Sequence, residues 1–280
     1  MNYLGVPAAP RSVLFVPGNK PELIEKLARV PADVVVVDLE DAVPKPQKEM
    51  AREAAAKAIR SVIPGLPSAC FVRLNESGSP WYASDLEVAI SLGIAGVVLP
   101  KYEEPGQLES LRKTLAARGR SDMQVMVGLE SAIGVEDCRT LFAAGPDQAY
   151  FGAEDLIADL GGYRTAENME VLYARSRVSI AAKISRISLV DQAVVDFRDD
   201  ERFLRDAEQG RALGYAGKIC IHPRQVELCS SVFGATDDSV AFAMRVLAAA
   251  AKGVAVVDGQ MVDEVHVKMA NQILARRLEP

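Results

Sequence analysis

The sequence predicts an α/β fold, a closed (β/α)8 barrel followed by a helix-hairpin-helix extension, and three observations support this. Short apolar runs recur along the chain, longer amphipathic stretches separate them, and the alternation stops near residue 230. The runs are SVLFV (12–16), DVVVVDL (33–39), ACFVRL (69–74), AGVVLP (95–100), QVMVGLE (124–130), QAYFG (148–152), ISLVDQAVVDF (187–197) and GKICIHP (217–223). Continuous apolar runs suit strands buried on both faces, as in a parallel sheet covered by helices. With 280 residues at 49% hydrophobic content, the chain can bury one large core and carry a small appendage.

The intervening segments read as helices. PELIEKLARV opens on Pro21, QKEMAREAAAKAIR is rich in helix formers, and SDLEVAISLG closes on Gly93. After GKICIHP the pattern changes. Residues 237–251 read as a helix, 253–262 as a hairpin turning at Asp258-Gly259, and 263–277 as a second helix. Residues 1–230 are therefore assigned to the barrel and 231–280 to an extension, lying over the barrel or a neighbouring subunit.

A net charge of −6 and the absence of a long Lys/Arg block argue against a nucleic-acid surface. No uncharged apolar run is long enough to span a bilayer, and MNYLGVPAAPRS lacks the basic and apolar regions of a leader. These features predict a soluble cytoplasmic protein whose partners are small molecules. The cysteines, Cys70, Cys138, Cys220 and Cys229, form no C-x-x-C pair, which suits reduced thiols. With His222 and His266 as its histidines, the chain cannot build a histidine-rich metal centre. A bound metal would be held by carboxylates, which favours Mg²⁺, Ca²⁺ or Mn²⁺.

Active sites of such barrels lie at the C-terminal strand ends, so the polar residues there are the candidates. They are Asp38, Glu40, Asp41, Arg73, Lys101, Glu130, Glu154, Asp155, Asp196 and His222. Converging acids repel unless a divalent cation or Arg73 compensates them. Asp38 reads equally as a structural hydrogen-bonding group or a catalytic one. Glu40 or Asp41 could cap the next turn. Arg73 pairs with a structural acid or binds an anion. Glu130 reads as a metal ligand; of Glu154 and Asp155, one caps the next helix while the other faces the metal, and position alone does not choose. Lys101 reads as a loop lysine, His222 as a packed histidine, His266 as an exposed helix residue and Asp263 as the N-cap of the last helix.

RSVLFVPGNKPELIEKL, VVVVDLEDAVPKPQKEMAR, FVRLN, GVVLPK, GLESAIGV, YFGAEDLIADLG, ARSRV, GKICIHPRQV and DGQMVDEVHVKMA occur in an order that resembles the citrate lyase β-subunit-like branch of the HpcH/HpaI aldolase superfamily. The resemblance covers nearly the whole chain. It implies a TIM barrel, usually trimeric, that makes or breaks a carbon–carbon bond beside a thioester with Mg²⁺. It further implies Glu130 and Asp155 as metal ligands, Arg73 on the substrate carboxylate or thioester oxygen, and Asp263 as an acid/base delivered by a neighbouring subunit's tail. Arg11, Phe15, Lys20 and the Ile221-His222-Pro223 segment would line a coenzyme A path. Glu40, counted with Arg73 and Asp263 as catalytic, would with Asp41 hold water or metal-bound groups behind the ligands, and Asp38 would support them. In GLESAIGV, Ile133 stands where many relatives carry another residue, which implies an altered pocket wall.

The expected activity is Mg²⁺-dependent cleavage of a 3-hydroxyacyl-CoA with a distal carboxylate, of the citramalyl-CoA or malyl-CoA type. The alternatives are a β subunit acting on an acyl-carrier-protein thioester within a citrate lyase complex, a malyl-CoA thioesterase or malate-synthase-like enzyme, and a binding protein with a relic site. Loss of Arg73 is expected to leave a folded, nearly inactive chain.

Overall fold

The computed structural model describes residues 5–235, 237–250 and 255–278. Eight parallel strands close in sequence order into a barrel: β1 (Ser12–Pro17), β2 (Val34–Asp38), β3 (Ala69–Arg73), β4 (Gly96–Leu99), β5 (Gln124–Leu129), β6 (Gln148–Phe151), β7 (Ser188–Asp191) and β8 (Gly217–Cys220). The helices in chain order are α1 (Pro21–Ile24), α2 (Lys48–Val62), α3 (Tyr82–Ser91), α4 (Pro105–Ala117), α5 (Ala132–Glu136), α6 (Cys138–Ala143), α7 (Ala153–Leu160), α8 (Leu172–Ser185), α9 (Asp200–Leu213) and α10 (Pro223–Phe233). Among the described residues no helix is long and apolar enough to cross a membrane.

Side-chain alternation along each strand decides what enters the barrel. Val34, Val36, Ala69, Phe71, Val98, Met126, Tyr150, Val190 and Ile219 interlock in the interior. Continuing the same parity to the strand ends carries Asp38 and Glu40, Arg73, Glu130 and Gly152 onto one rim. The opposite parity sends Asp191 and Lys218 outward, where Arg175 of α8 and Asp206 of α9 meet them. Arg175 lies 2.6 Å from Asp191 and Lys218 2.6 Å from Asp206, all four buried. This network fastens helices to the barrel wall away from the rim.

The sequence expectation for the seventh strand, residues 187–197, is too long. β7 ends at Asp191, and Asp196 is exposed in the following loop, where it accepts from Arg198 N. The polar pair Asp191-Gln192 ends the strand because both side chains are committed to the outer network.

Packing divides the chain after Cys229. The second unit contains α11 (Asp237–Ala250), β9 (Ala255–Val257), β10 (Gln260–Val262) and α12 (Glu264–Leu278). Asp258 and Gly259, at φ +51° and +81°, form the tight turn between β9 and β10. Ala243, Val246, Val257, Val262 and Ala270 make this unit's own core.

Candidate active site

The rim opens into a cavity of about 410 Å³ lined by Phe15, Asp38, Arg73, Glu130, Tyr150, Asp155, Phe197 and Ile221 among others. Register builds its base. Asp38 pairs with Arg73 across β2 and β3, so the guanidinium forks onto the carboxylate through Nε at 2.7 Å and Nη2 at 2.6 Å. The pairing alternative for Arg73 is therefore observed, and the same residue lines the cavity. Asp38 takes the structural role: it is buried and also accepts from the backbone N–H groups of Glu40 and Ala42. Burial opposes its ionisation, but the Arg73 guanidinium and these donors hold its carboxyl below the usual range. Arg73 also stacks 5.2 Å over the Phe15 ring.

Glu40 follows Asp38 on the same parity and is nearly sealed from solvent. Its carboxylate lies 3.1 Å from Arg73 Nη1 and 2.9 Å from Lys101 Nζ. Burial, with Glu130 and Asp41 nearby, pushes its pKa up to about 8 despite those cations. Lys48, buried on α2, donates to the carbonyls of Leu39 at 2.8 Å and Glu40 at 2.7 Å, which fixes the loop that presents Glu40. Asp41 is half exposed, 3.8 Å from Lys101.

Glu130 follows β5 directly and sits in a fitted cradle. Tyr150 donates its hydroxyl to Oε2 at 2.9 Å and Lys101 N donates to Oε1 at 2.7 Å. Gly152 leaves space for the carboxylate: a Cβ there would stand 2.5 Å from Oε2. Burial and the charge of Asp155 push Glu130 up to about 7. Asp155, on the first turn of α7, is likewise raised, by burial and then by Asp41. Neither acid of the Glu154-Asp155 pair caps α7, whose N-cap is Gly152. Both line the cavity, Glu154 with its carboxylate 3.4 Å from Arg164 and Asp155 with its own 4.0 Å from Lys101.

Among the described residues no three Asp, Glu, His or Cys side chains form a metal cage. Glu130 and Asp155 still fit a hard divalent cation. Mg²⁺ commonly takes one or two protein carboxylates and fills its remaining positions with water and substrate oxygens. Two acids facing one cavity, both pushed toward neutrality, have the electrostatic deficit that such a cation would remove.

The remaining candidates fall on both sides of the expectation. Ile221 lines the cavity, His222 stacks on Phe197 at 5.2 Å, and Pro223 begins α10. Lys20 is exposed just beyond β1. Arg11 is a correction. It precedes β1, at the opposite end of the barrel from the rim, and its guanidinium is committed to Asp33 at 3.0 Å. Ile133 lies 48% exposed on α5 and is not among the residues lining the cavity, so an altered pocket wall does not follow from it. Asp263 caps α12 in the second unit, accepting from Val265 N at 3.0 Å and lying 2.7 Å from His266 Nδ1. That contact holds Asp263 below its ordinary range, as a carboxylate.

Sequence reasoning missed Tyr150, Phe197 and Lys48 and undervalued Lys101. Tyr150 was findable, because strand parity aims it inward two residues before Gly152.

The family model for HpcH/HpaI aldolase/citrate lyase matches residues 11–223. A citrate lyase subunit beta-like protein of Deinococcus radiodurans is 44% identical, over 96% of this chain and 98% of its own. The mitochondrial citramalyl-CoA lyase of Rattus norvegicus is 30% identical, over 94% of this chain and 85% of its own. The crystal structure of CitE from Mycobacterium tuberculosis, in complex with magnesium, acetoacetate and coenzyme A, superposes with a TM-score of 0.81. It is 32% identical and covers 96% of this chain and 98% of its own. Barrel, rim and these likenesses agree, and the chain belongs to the HpcH/HpaI aldolase/citrate lyase family.

Proposed function

We propose that this chain is a Mg²⁺-dependent carbon–carbon lyase that cleaves a 3-hydroxyacyl-CoA bearing a distal carboxylate, of the citramalyl-CoA or malyl-CoA type. The products are acetyl-CoA and a 2-keto acid. One observation carries the reading: a carboxylate pair, Glu130 and Asp155, and a cation, Arg73, face the same mostly apolar cavity at the C-terminal rim. Relatives that cleave citramalyl-CoA or bind magnesium and coenzyme A supply the substrate class.

Glu130 and Asp155 would hold Mg²⁺, with Mn²⁺ as the alternative ion. When bound, the ion supplies Lewis acidity to the substrate's hydroxyl and adjacent carboxylate. Loss of the hydroxyl proton lets the carbon–carbon bond break, and its electron pair passes to the thioester as an enolate. Arg73, held in place by Asp38, presents fixed positive charge to that enolate oxygen. Phe15, Phe197 and Ile221 form apolar walls that keep water from the carbanionic carbon. Glu40 and Asp41 order water beside the metal pair. We assign both proton transfers to Asp263 of a neighbouring chain's tail, in a homotrimer: its carboxylate would take the hydroxyl proton and return that proton to the enolate carbon.

The test is incubation of purified protein with citramalyl-CoA and malyl-CoA, with Mg²⁺ or EDTA, following keto acid and acetyl-CoA together. Matched, EDTA-sensitive product formation is expected. A folded protein that turns over neither thioester overturns the reading in favour of an acyl-carrier-dependent subunit.

A further inference from the structure

Lys101 reads from sequence as a loop residue, yet both of its donors point at the rim. It follows β4 with φ +48°, a left-handed backbone that residues bearing a Cβ rarely adopt. That conformation aims its N–H at Glu130 Oε1, 2.7 Å away. Its ammonium lies 2.9 Å from Glu40, 3.8 Å from Asp41 and 4.0 Å from Asp155. One residue therefore touches both members of the proposed metal pair, one through its backbone and the other through its charge.

The charges at the rim show what the ammonium does. Asp38 occupies two nitrogens of Arg73, and Glu40 the third. Asp41 and Asp155 find their positive neighbour in Lys101. We propose that Lys101 sets how tightly the rim takes a divalent cation, its ammonium standing in for that cation beside Asp155 in the free chain. The inference rests on the reading of Glu130 and Asp155 as the metal pair. A cation entering between them meets a like charge 4.0 Å from one of its ligands, so binding must move the ammonium off Asp155 toward Glu40 and Asp41. The lysine thereby weakens metal binding in the absence of substrate while keeping the acidic rim assembled. A lysine that merely braced its loop would act in the opposite direction, because its removal would splay the carboxylates and weaken the metal site.

The test is calorimetric titration with MgCl₂, without any thioester, of wild type, Lys101→Met, Lys101→Arg and Glu130→Gln, each checked for folding by thermal melting. Lys101→Met is expected to lower the Kd for Mg²⁺ about five- to tenfold, with Lys101→Arg near wild type. An unchanged or weaker Kd in Lys101→Met overturns the inference. If Lys101→Met does not fold, Lys101→Gln removes the same charge and carries the same comparison. Mg²⁺ binding that Glu130→Gln abolishes and Lys101→Met leaves unmoved overturns this inference alone. Wild-type protein showing no binding that depends on Glu130 overturns the metal-pair reading, and the inference with it.

Discussion

Arg73 holds Asp38 and lines the rim cavity, so its substitutions separate by what they leave behind. Arg73→Ala abandons a carboxylate that is 2% exposed, and removing one partner of a buried pair costs about 3–5 kcal/mol. The alanine variant should therefore show a lower urea midpoint as well as lost turnover, not the intact fold that sequence alone suggests. Arg73→Lys keeps the charge but loses the fork, and should retain most stability while kcat falls about 10²-fold. A lysine variant with ordinary kcat would remove Arg73 from the chemistry. The rim acids predict the pH response. Glu40 and Glu130 titrate near 8 and 7 in the folded chain, above their ordinary 4.5. A raised acid is more protonated folded than unfolded, so its contribution is full below about 4.5 and declines as pH rises through the folded values. Asp38 works in the other direction: with its pKa lowered below 3.8, its contribution is lost only as pH falls below that value. Urea midpoints of the metal-free protein should fall from about pH 5 to about pH 8.5, and saturating Mg²⁺ should flatten that slope by keeping Glu130 ionised in the folded state. A midpoint that rises over this range would mean that neither glutamate is raised.

At the scale of elements, the site depends on where strands stop and which residues make room. Gly152 has φ −101°, which alanine adopts freely, so any damage from Gly152→Ala comes from space rather than backbone strain. The added methyl would stand 2.5 Å from Glu130 Oε2 and 2.6 Å from its Cβ, forcing the carboxylate out of the hydrogen bonds from Tyr150 and Lys101. The expected result is a fold close to native, with the melting shift on adding Mg²⁺ abolished and turnover down at least about 10²-fold. Retention of both would show that Glu130 need not sit in this cradle. The eight strands were legible because a doubly buried strand must be continuously apolar, and VVVVDL shows both the strand and the acid that ends it. The acids of the rim followed from that rule. Lys48, and the reach of Lys101 though not its place after a strand, were illegible for a physical reason: neither apolar periodicity nor strand parity encodes where a long flexible side chain ends. Arg11 failed in the same way, since a motif records neighbours in sequence and not which end of the barrel they occupy.

At the scale of the whole molecule, the proposed role of Asp263 turns on which chain's barrel it serves. Asp263 belongs to a unit with its own small core, where it caps α12 and is held ionised by His266. A carboxylate held by two backbone N–H groups and an imidazole is a stable helix cap, so nothing in its own unit requires it to be catalytic. The proposed exchange of tails in a ring predicts something that no local role for Asp263 does. Asp263→Asn and Glu130→Gln should each be nearly inactive alone, because one lacks the proposed proton carrier and the other a proposed metal ligand. When the two are unfolded, mixed in equal amounts and reassembled, an intact site needs the barrel of an Asp263→Asn chain and the tail of a Glu130→Gln chain. Random assembly of a closed ring makes about a quarter of sites of that kind, so activity should recover to about a quarter of wild type prepared in the same way. If each tail served its own barrel, every site would keep its defect and the mixture would stay inactive. Asp263→Asn with full activity by itself would remove the tail from the chemistry and return Asp263 to a helix cap.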